Sequence, residues 1–282
     1  MSLPDGAGDA MRVGGGDINE AWRVTLADGR PAFVKSRPDA SPGEYRREAA
    51  ALEWLAEPGA LRVPEVLDVG EGHLALAWIE QGRLSAAGAE ELGRGLALTH
   101  AAGARCFGDP RLDDGGETGE ATIGSLSLPN EPLADWPSFY AQRRLLPALA
   151  VARERGGIDV RGAQAVQGVC ERIEKLAGPP EPPARLHGDL WSGNVLAGSD
   201  GRPWLIDPTA YGGHREVDLA MLLLFGAPSQ RVLPAYEEAS PLAEGWRERV
   251  GLWQLLPLLV HAALFGGGYG EQATRLALRY AS

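Results

Sequence analysis

The chain has 282 residues, 44% of them hydrophobic and 23% charged, and a formal net charge of -11. Such a length buries a sizeable core in one or two domains, and so acidic a surface repels phosphate backbones and anionic lipid, which speaks against nucleic acid or a membrane as partner. The two cysteines, Cys106 and Cys170, stand far apart with no CxxC or Cys/His cluster, which argues against a disulfide scaffold or structural zinc and suits a reducing compartment.

The opening stretch MSLPDGAGDAMRV has no basic start followed by an apolar core, so no signal peptide is read there and a cytoplasmic protein is expected. Val13-Gly-Gly-Gly-Asp-Ile-Asn19 precedes the first expected strand; its glycines Gly14, Gly15 and Gly16 would let backbone N–H groups approach phosphates. Trp22–Leu26 and Pro31–Lys35 are short strand-like runs, and the Asp28-Gly29 between them signals a hairpin, since the turn needs positive φ. SPGEYRREAAALEWLAEPG predicts a helix with Ser41 as N-cap, Pro42 at the first position and Glu44 in the capping-box place. Val63–Val69 and Leu74–Ile79 supply two more strands.

From Ser85 the pattern becomes helical: Ala86–Ala102, Trp136–Arg155, Ala163–Ala177, Asp218–Phe225, Trp246–Phe265 and a short piece near Glu271–Tyr280. Residues Phe107–Leu133 read as a long irregular connection, rare in compact domains unless functional. The run Leu252–Phe265 is too short and too polar to span a bilayer. The expected architecture is α+β and bilobal: a β-rich lobe over residues 1–80 and a larger helical lobe over residues 81–282.

The chemistry concentrates in RLHGDLWSGNVL, residues Arg185–Leu196. Asp189 and Asn194 stand five apart in an H-x-D-x-x-x-x-N spacing. A carboxylate there can accept the proton of an attacking hydroxyl, and a neutral amide oxygen can ligate Mg2+ without adding charge. Thirteen residues beyond Asn194, the strand-like Trp204-Leu-Ile ends in Asp207, the second candidate metal ligand. Upstream, Lys35 closes Phe33-Val34-Lys35 and Glu48 follows thirteen residues later, a pairing that would aim an ammonium at the α- and β-phosphates of ATP. Lys35 is one of only two lysines, beside Lys175.

With these residues in place the chain resembles the fructosamine-kinase, or ketosamine-3-kinase, family, within the aminoglycoside-phosphotransferase-like branch of the protein-kinase fold. HGDLWSGN, WLIDPTAYGGHREVDLAMLLLFG and the run to GGGY carry the resemblance almost end to end. It implies phosphorylation by ATP and Mg2+ of a ketosamine at its 3-hydroxyl. It also implies a hinge at Ala77-Trp78-Ile79-Glu80, where the backbone at Trp78 and Ile79 would hold adenine. Two departures stand out: Thr209 where alanine is common, and Ala77 where glutamate is frequent.

Only ten residues separate Asp207 from Asp218, with no peptide-holding activation segment, so a small acceptor is expected. Asp218 is read as an acid holding the backbone of the catalytic loop, with a metal role as the alternative, and His187 as a structural support of that loop. Trp191 is expected to stack on a sugar face, with packing into the core as the alternative. His214, Arg215 and Glu216 are expected to line the acceptor side. His261 is by default a core histidine, with acceptor contact as the alternative. Other readings keep the fold but change the acceptor to an aminoglycoside, choline or homoserine; a nucleotide-binding pseudokinase would lack a catalytic group, and none of the five is missing.

Overall fold

The structure, a computed structural model, describes residues 4, 8–14, 20–108 and 121–281. Gly15, Gly16 and residues 109–120 of the expected connection lie outside the described residues. An antiparallel sheet leads, in spatial order β1-β2-β3-β5-β4, from β1 (Gly8–Arg12), β2 (Glu20–Thr25), β3 (Pro31–Ser36), β4 (Val66–Val69) and β5 (His73–Ala77). Helix α1 (Glu44–Ala56) packs Tyr45, Ala49 and Leu52 against Leu74 and Leu76 of β5. Val24, Ala32, Val34 and Ala75 are fully buried in a second cluster of the same lobe.

The β2–β3 turn follows the Asp28-Gly29 signal. Gly29 takes φ 84°. Its N–H bonds the carbonyl of Leu26, whose own N–H bonds Arg30 O, and the Asp28 carboxylate accepts from the N–H of Arg30. Helix α1 starts later than its sequence suggests. Gly43 adopts φ 69°, which no helical residue can, so Ser41 and Pro42 form a turn ahead of it. Half of the expected capping box survives: the Glu44 carboxylate accepts from the Ser41 N–H at 3.0 Å.

The helical part begins with α2 (Ala86–Ala101) and a small hairpin of β6 (Ala121–Ile123) and β7 (Leu126–Leu128), so the expected irregular connection is partly paired. The stretch read as one helix is α3 (Trp136–Phe139), a π-turn at Tyr140–Leu145 and α4 (Leu146–Glu154). Pro147 explains the widening, because it has no N–H to give Arg143. The Leu146 N–H reaches back to Ala141, and the orphaned Arg143 carbonyl accepts from its neighbour's guanidinium at 3.0 Å. There follow α5 (Val160–Leu176), β8 (Ala184–Leu186), β9 (Val195–Ala197), β10 (Pro203–Leu205), β11 (Tyr211–Gly213), α6 (Glu216–Leu224), α7 (Val232–Ala239), α8 (Trp246–Phe265) and α9 (Tyr269–Ala281).

Between the two parts, the Ser199 N–H donates to Glu80 O at 2.7 Å and the Gly82 N–H to Ala197 O at 2.9 Å. Arg62 adds an ion pair to Asp200 at 2.7 Å and lies over the Trp204 ring. No helix of the described residues is long and apolar enough to cross a membrane.

Space around Gly29 is open, so only its left-handed backbone resists a side chain. Gly29→Ala is expected to destabilise by about 1 kcal/mol, through the cost of that conformation. Thermal denaturation should show a slightly lower melting temperature with unchanged affinity for nucleotide.

Candidate active site

Strands β8 and β11 pair antiparallel, as do β9 and β10, and these two ladders build the site. The segment leaving β8 carries His187 to Trp191, and a 3-10 turn at Ser192–Asn194 leads into β9. Because Val195 faces Leu205 across the second ladder, Asn194 and Ile206 are neighbours; the Ile206 N–H bonds Asn194 O at 3.1 Å. Asp207 is the next residue. The thirteen-residue spacing is thus one hairpin, with both candidate ligands at its open end.

Lys35 pairs on β3 with Ala21 and Leu74, near the end of the sheet that faces this hairpin. Its ammonium lies 2.5 Å from Glu48 Oε1 and 2.9 Å from Asp207 Oδ1. Burial would lower its pKa, but the two carboxylates outweigh that and hold it above the ordinary lysine value. Burial pushes Glu48 up to about 7 despite Lys35. Asp207 is also desolvated, yet Lys35 keeps it below the usual carboxylate range. Asp207 takes φ 53°, a left-handed conformation rare outside glycine and asparagine or aspartate.

Asn194 is buried and its Nδ2 donates to Asp189 O at 2.8 Å and Asp189 Oδ2 at 3.2 Å. With its amino group so committed, Oδ1 is the atom left to act as a ligand. Asp189 borders a cavity walled by Ile123, Val217, Met221, Trp253 and Pro257. Burial and the nearby Asp207 charge push its carboxyl up to about 7.

The loop is held from behind. Asp218 is wholly buried: Oδ2 accepts from the His187 N–H at 2.7 Å and Oδ1 from the Gly188 N–H at 2.9 Å. His100 Nε2 lies 3.1 Å from Oδ2, and its Nδ1 contacts Tyr236 Oη at 2.8 Å. Burial would raise the Asp218 pKa, but His100 outweighs it and the carboxyl stays ionised below its usual range. His187 donates from Nε2 to Ile206 O and accepts the Asp189 N–H at Nδ1, while burial lowers its pKa and keeps it neutral. Gly188, at φ 85°, leaves no room for a Cβ, which would strike Thr209 O. Thr209 itself binds the β6–β7 hairpin through Oγ1 to Thr122 O at 2.8 Å, a link alanine could not make.

Trp191 is 40% exposed and lies over Gly193, not in the core. Its ring meets Phe225 edge-on at 6.2 Å, Phe225 meets His261 at 5.1 Å, and His261 meets Tyr269 at 4.9 Å. Half-buried His261 therefore belongs to an aromatic shelf beside the loop, with Nδ1 bonded to Pro257 O at 2.8 Å. Phe225 was hidden from sequence reasoning at the end of an apolar run that reads as plain core.

His214, Arg215 and Glu216 do not line the acceptor side. His214 is buried and stacked on Trp253 at 5.4 Å. Glu216 accepts from Arg249 Nη2 at 2.6 Å and from Trp253 Nε1 at 2.8 Å. Arg215 is spent on Glu181 and Ser240. At the start of α6 these side chains turn inward, because buried charges need partners: His214 and Glu216 hold Trp253, one wall of the cavity, while Arg215 ties down Glu181 and Ser240. Trp78 and Ile79 are half-buried at the crossing between the lobes, the Trp78 N–H bonding Pro31 O. Gly14 is described, with open space around it.

The sequence model of the fructosamine kinase family matches residues 6–281. This chain belongs to the fructosamine kinase family. It is 34% identical to a probable ketoamine kinase of Enterococcus faecium, over 95% of this chain and 94% of that protein. It is equally identical to the chloroplastic protein-ribulosamine 3-kinase of Arabidopsis thaliana, over 93% and 79%. A crystal structure of a fructosamine-3-kinase homologue from Thermobifida fusca superposes with a TM-score of 0.87 at 44% identity, covering 97% and 94% of the two chains. The choline kinase LicA of Streptococcus pneumoniae, at 17% identity and a TM-score of 0.64, shares the protein-kinase-like fold. The family member in hand is thus a kinase of the α+β, protein-kinase-like class.

Asp218→Asn replaces one acceptor oxygen by an amino group that would face a backbone N–H. It is expected to lower kcat by about a hundredfold through loss of loop geometry. Steady-state kinetics with thermal denaturation on the folded variant would measure it.

Proposed function

We propose that this protein is an ATP- and Mg2+-dependent kinase that phosphorylates the 3-hydroxyl of ketosamines, fructosamine or ribulosamine adducts, in deglycation. Residues 1–80 would form the nucleotide lobe and 81–282 the catalytic and acceptor lobe. The observation that carries the reading is the convergence of a proton-accepting Asp189 with Lys35, Glu48, Asn194 and Asp207, next to an exposed aromatic shelf.

The residues fit ATP and Mg2+. Asn194 and Asp207 offer a hard, all-oxygen donor pair. No group of three or more His, Cys, Asp or Glu among the described residues gathers as a metal site, so a divalent cation would be completed by phosphate oxygens, as Mg2+ prefers. When bound, Mg2+ supplies charge neutralisation at the phosphates. Lys35, steered by Glu48, would meet the α- and β-phosphates as a point charge. Gly14 and its neighbours would cover them, and the Trp78–Ile79 backbone would hold adenine.

Asp189 orients the sugar hydroxyl and takes its proton as that oxygen bonds to the γ-phosphorus and ADP leaves. Its environment suits the task. A carboxyl raised to about 7 is a stronger proton acceptor than a solvated aspartate, and its link to Asn194 fixes its direction. The indole of Trp191 offers an apolar face for the C–H side of a sugar.

Asp189→Asn is expected to lower kcat by at least about a thousandfold with little change in ATP affinity, as removal of a proton acceptor in a preorganised site does. A coupled ADP-release assay beside calorimetric ATP binding checks both arms; a variant with wild-type turnover would overturn the role. Trp191→Ala is expected to raise KM for the sugar acceptor by about tenfold, the worth of one lost stacking contact, and to leave KM for ATP unchanged.

One observation favours a second reading. The Trp191–Phe225–His261 shelf would also attract a quaternary ammonium, as in choline, through cation–π contact. Turnover of ribuloselysine, fructoselysine, choline and kanamycin side by side separates the two; a chain that used choline and ignored both ketosamines would overturn the first.

A further inference from the structure

We propose that Arg185 is a positioning residue that sets where Glu48, and through it Lys35, stands relative to the catalytic loop. The proposal rests on the nucleotide-binding half of the function above and extends it to a residue outside the five that converge on the site.

Helix α1 has no basic residue in its last turn to answer the partial negative charge of its carbonyls. That charge is supplied from the other lobe. Arg185 Nη1 donates to Trp54 O at 2.5 Å and to the carboxylate of Glu57, the C-cap residue, at 2.8 Å. The guanidinium also lies 4.5 Å from the Trp54 ring centroid, and Nε reaches Gly103 O, just past α2, at 3.4 Å. Its side chain is only 11% exposed. A guanidinium so enclosed, stacked and hydrogen-bonded has one favourable position, unlike a solvated surface arginine.

The two ends of this tether matter. Arg185 is the central residue of β8, paired with Gly212, and two residues later begins the loop that Asp218 holds by its backbone. Glu48 lies six residues before Trp54 on the same helix, about 9 Å along a rod that does not stretch. Arg185 therefore fixes the axial position of α1 against the root of the catalytic loop, and Glu48 arrives opposite Lys35. Without it, the lobes keep the Lys35–Asp207, Glu80–Ser199, Arg62–Leu205 and Arg62–Asp200 links, none of which involves the last turn of α1.

The test is a cycle of Arg185→Met and Glu48→Gln, read as ATP affinity by calorimetry in the presence of Mg2+. Arg185→Met keeps an apolar stem over Trp54 and removes the donors. Alone it should weaken ATP about fivefold, and it should weaken it no further in the Glu48→Gln background, since groups acting through one contact are not additive. KM for ATP should rise with it while KM for the acceptor holds. Arg185→Lys, which keeps a charge near Trp54 O, should fall between wild type and Arg185→Met, and it serves in the same cycle if Arg185→Met does not fold. Unchanged ATP affinity, or an equal loss in both backgrounds, overturns the proposal. A wild-type protein that bound no ATP would overturn the nucleotide reading and this proposal together, whereas normal wild-type binding with an additive cycle overturns this one alone.

Discussion

One buried ammonium organises the molecule. Lys35 comes from the sheet, Glu48 from the helix beside it, and Asp207 from a hairpin in the other lobe. Two carboxylates that close would repel each other, and a lone ammonium this deep would lose its proton. Together the three groups offset one another's charge in the space between the lobes. Removing one partner from such a cluster costs about 3–5 kcal/mol, because the remaining charge stays buried. Apolar packing accompanies the cluster, with Leu61 buried among Leu92, Leu96 and Leu205.

Behind this cluster the catalytic loop is built from the inside outward. Its backbone N–H groups are spent on Asp218, its histidine on Ile206 and on its own chain, and its asparagine on Asp189. Asp189 is left with a side chain that has few partners and an apolar wall on one side. Burial there, with the Asp207 charge close by, is why its carboxyl is raised. The wall is made by Trp253, kept in place by Glu216 and Arg249, so a deep salt bridge contributes to the site without facing it.

Lys35, Glu48, Asp189, Asn194 and Asp207 were readable in the sequence because each spacing reflects one local unit: a strand leading to a helix, or a single hairpin. The hairpin at Gly29 and most C-terminal helices were readable for the same reason. Strand β1 was not, since GDAMR shows no apolar alternation and its pairing is purely backbone. Helix α7 (VLPAYEEA) was too short and too mixed to stand out. The inward turn of His214, Arg215 and Glu216 depends on Glu181, Arg249 and Trp253, which are distant in sequence. A charged triplet after two glycines reads the same whether it faces a ligand or a core. Arg185 reads in the sequence as plain flank, because nothing in RLH tells that the arginine reaches a helix residue 128 positions earlier.

The left-handed backbone at Asp207 narrows what evolution can place there. Glutamate carries the same charge but is seldom found in that backbone conformation. Glycine and asparagine accept the backbone but remove the charge. Backbone and charge therefore set opposing demands at this one position, since the residues that ease the backbone leave Lys35 with Glu48 alone, and aspartate is the residue that meets both.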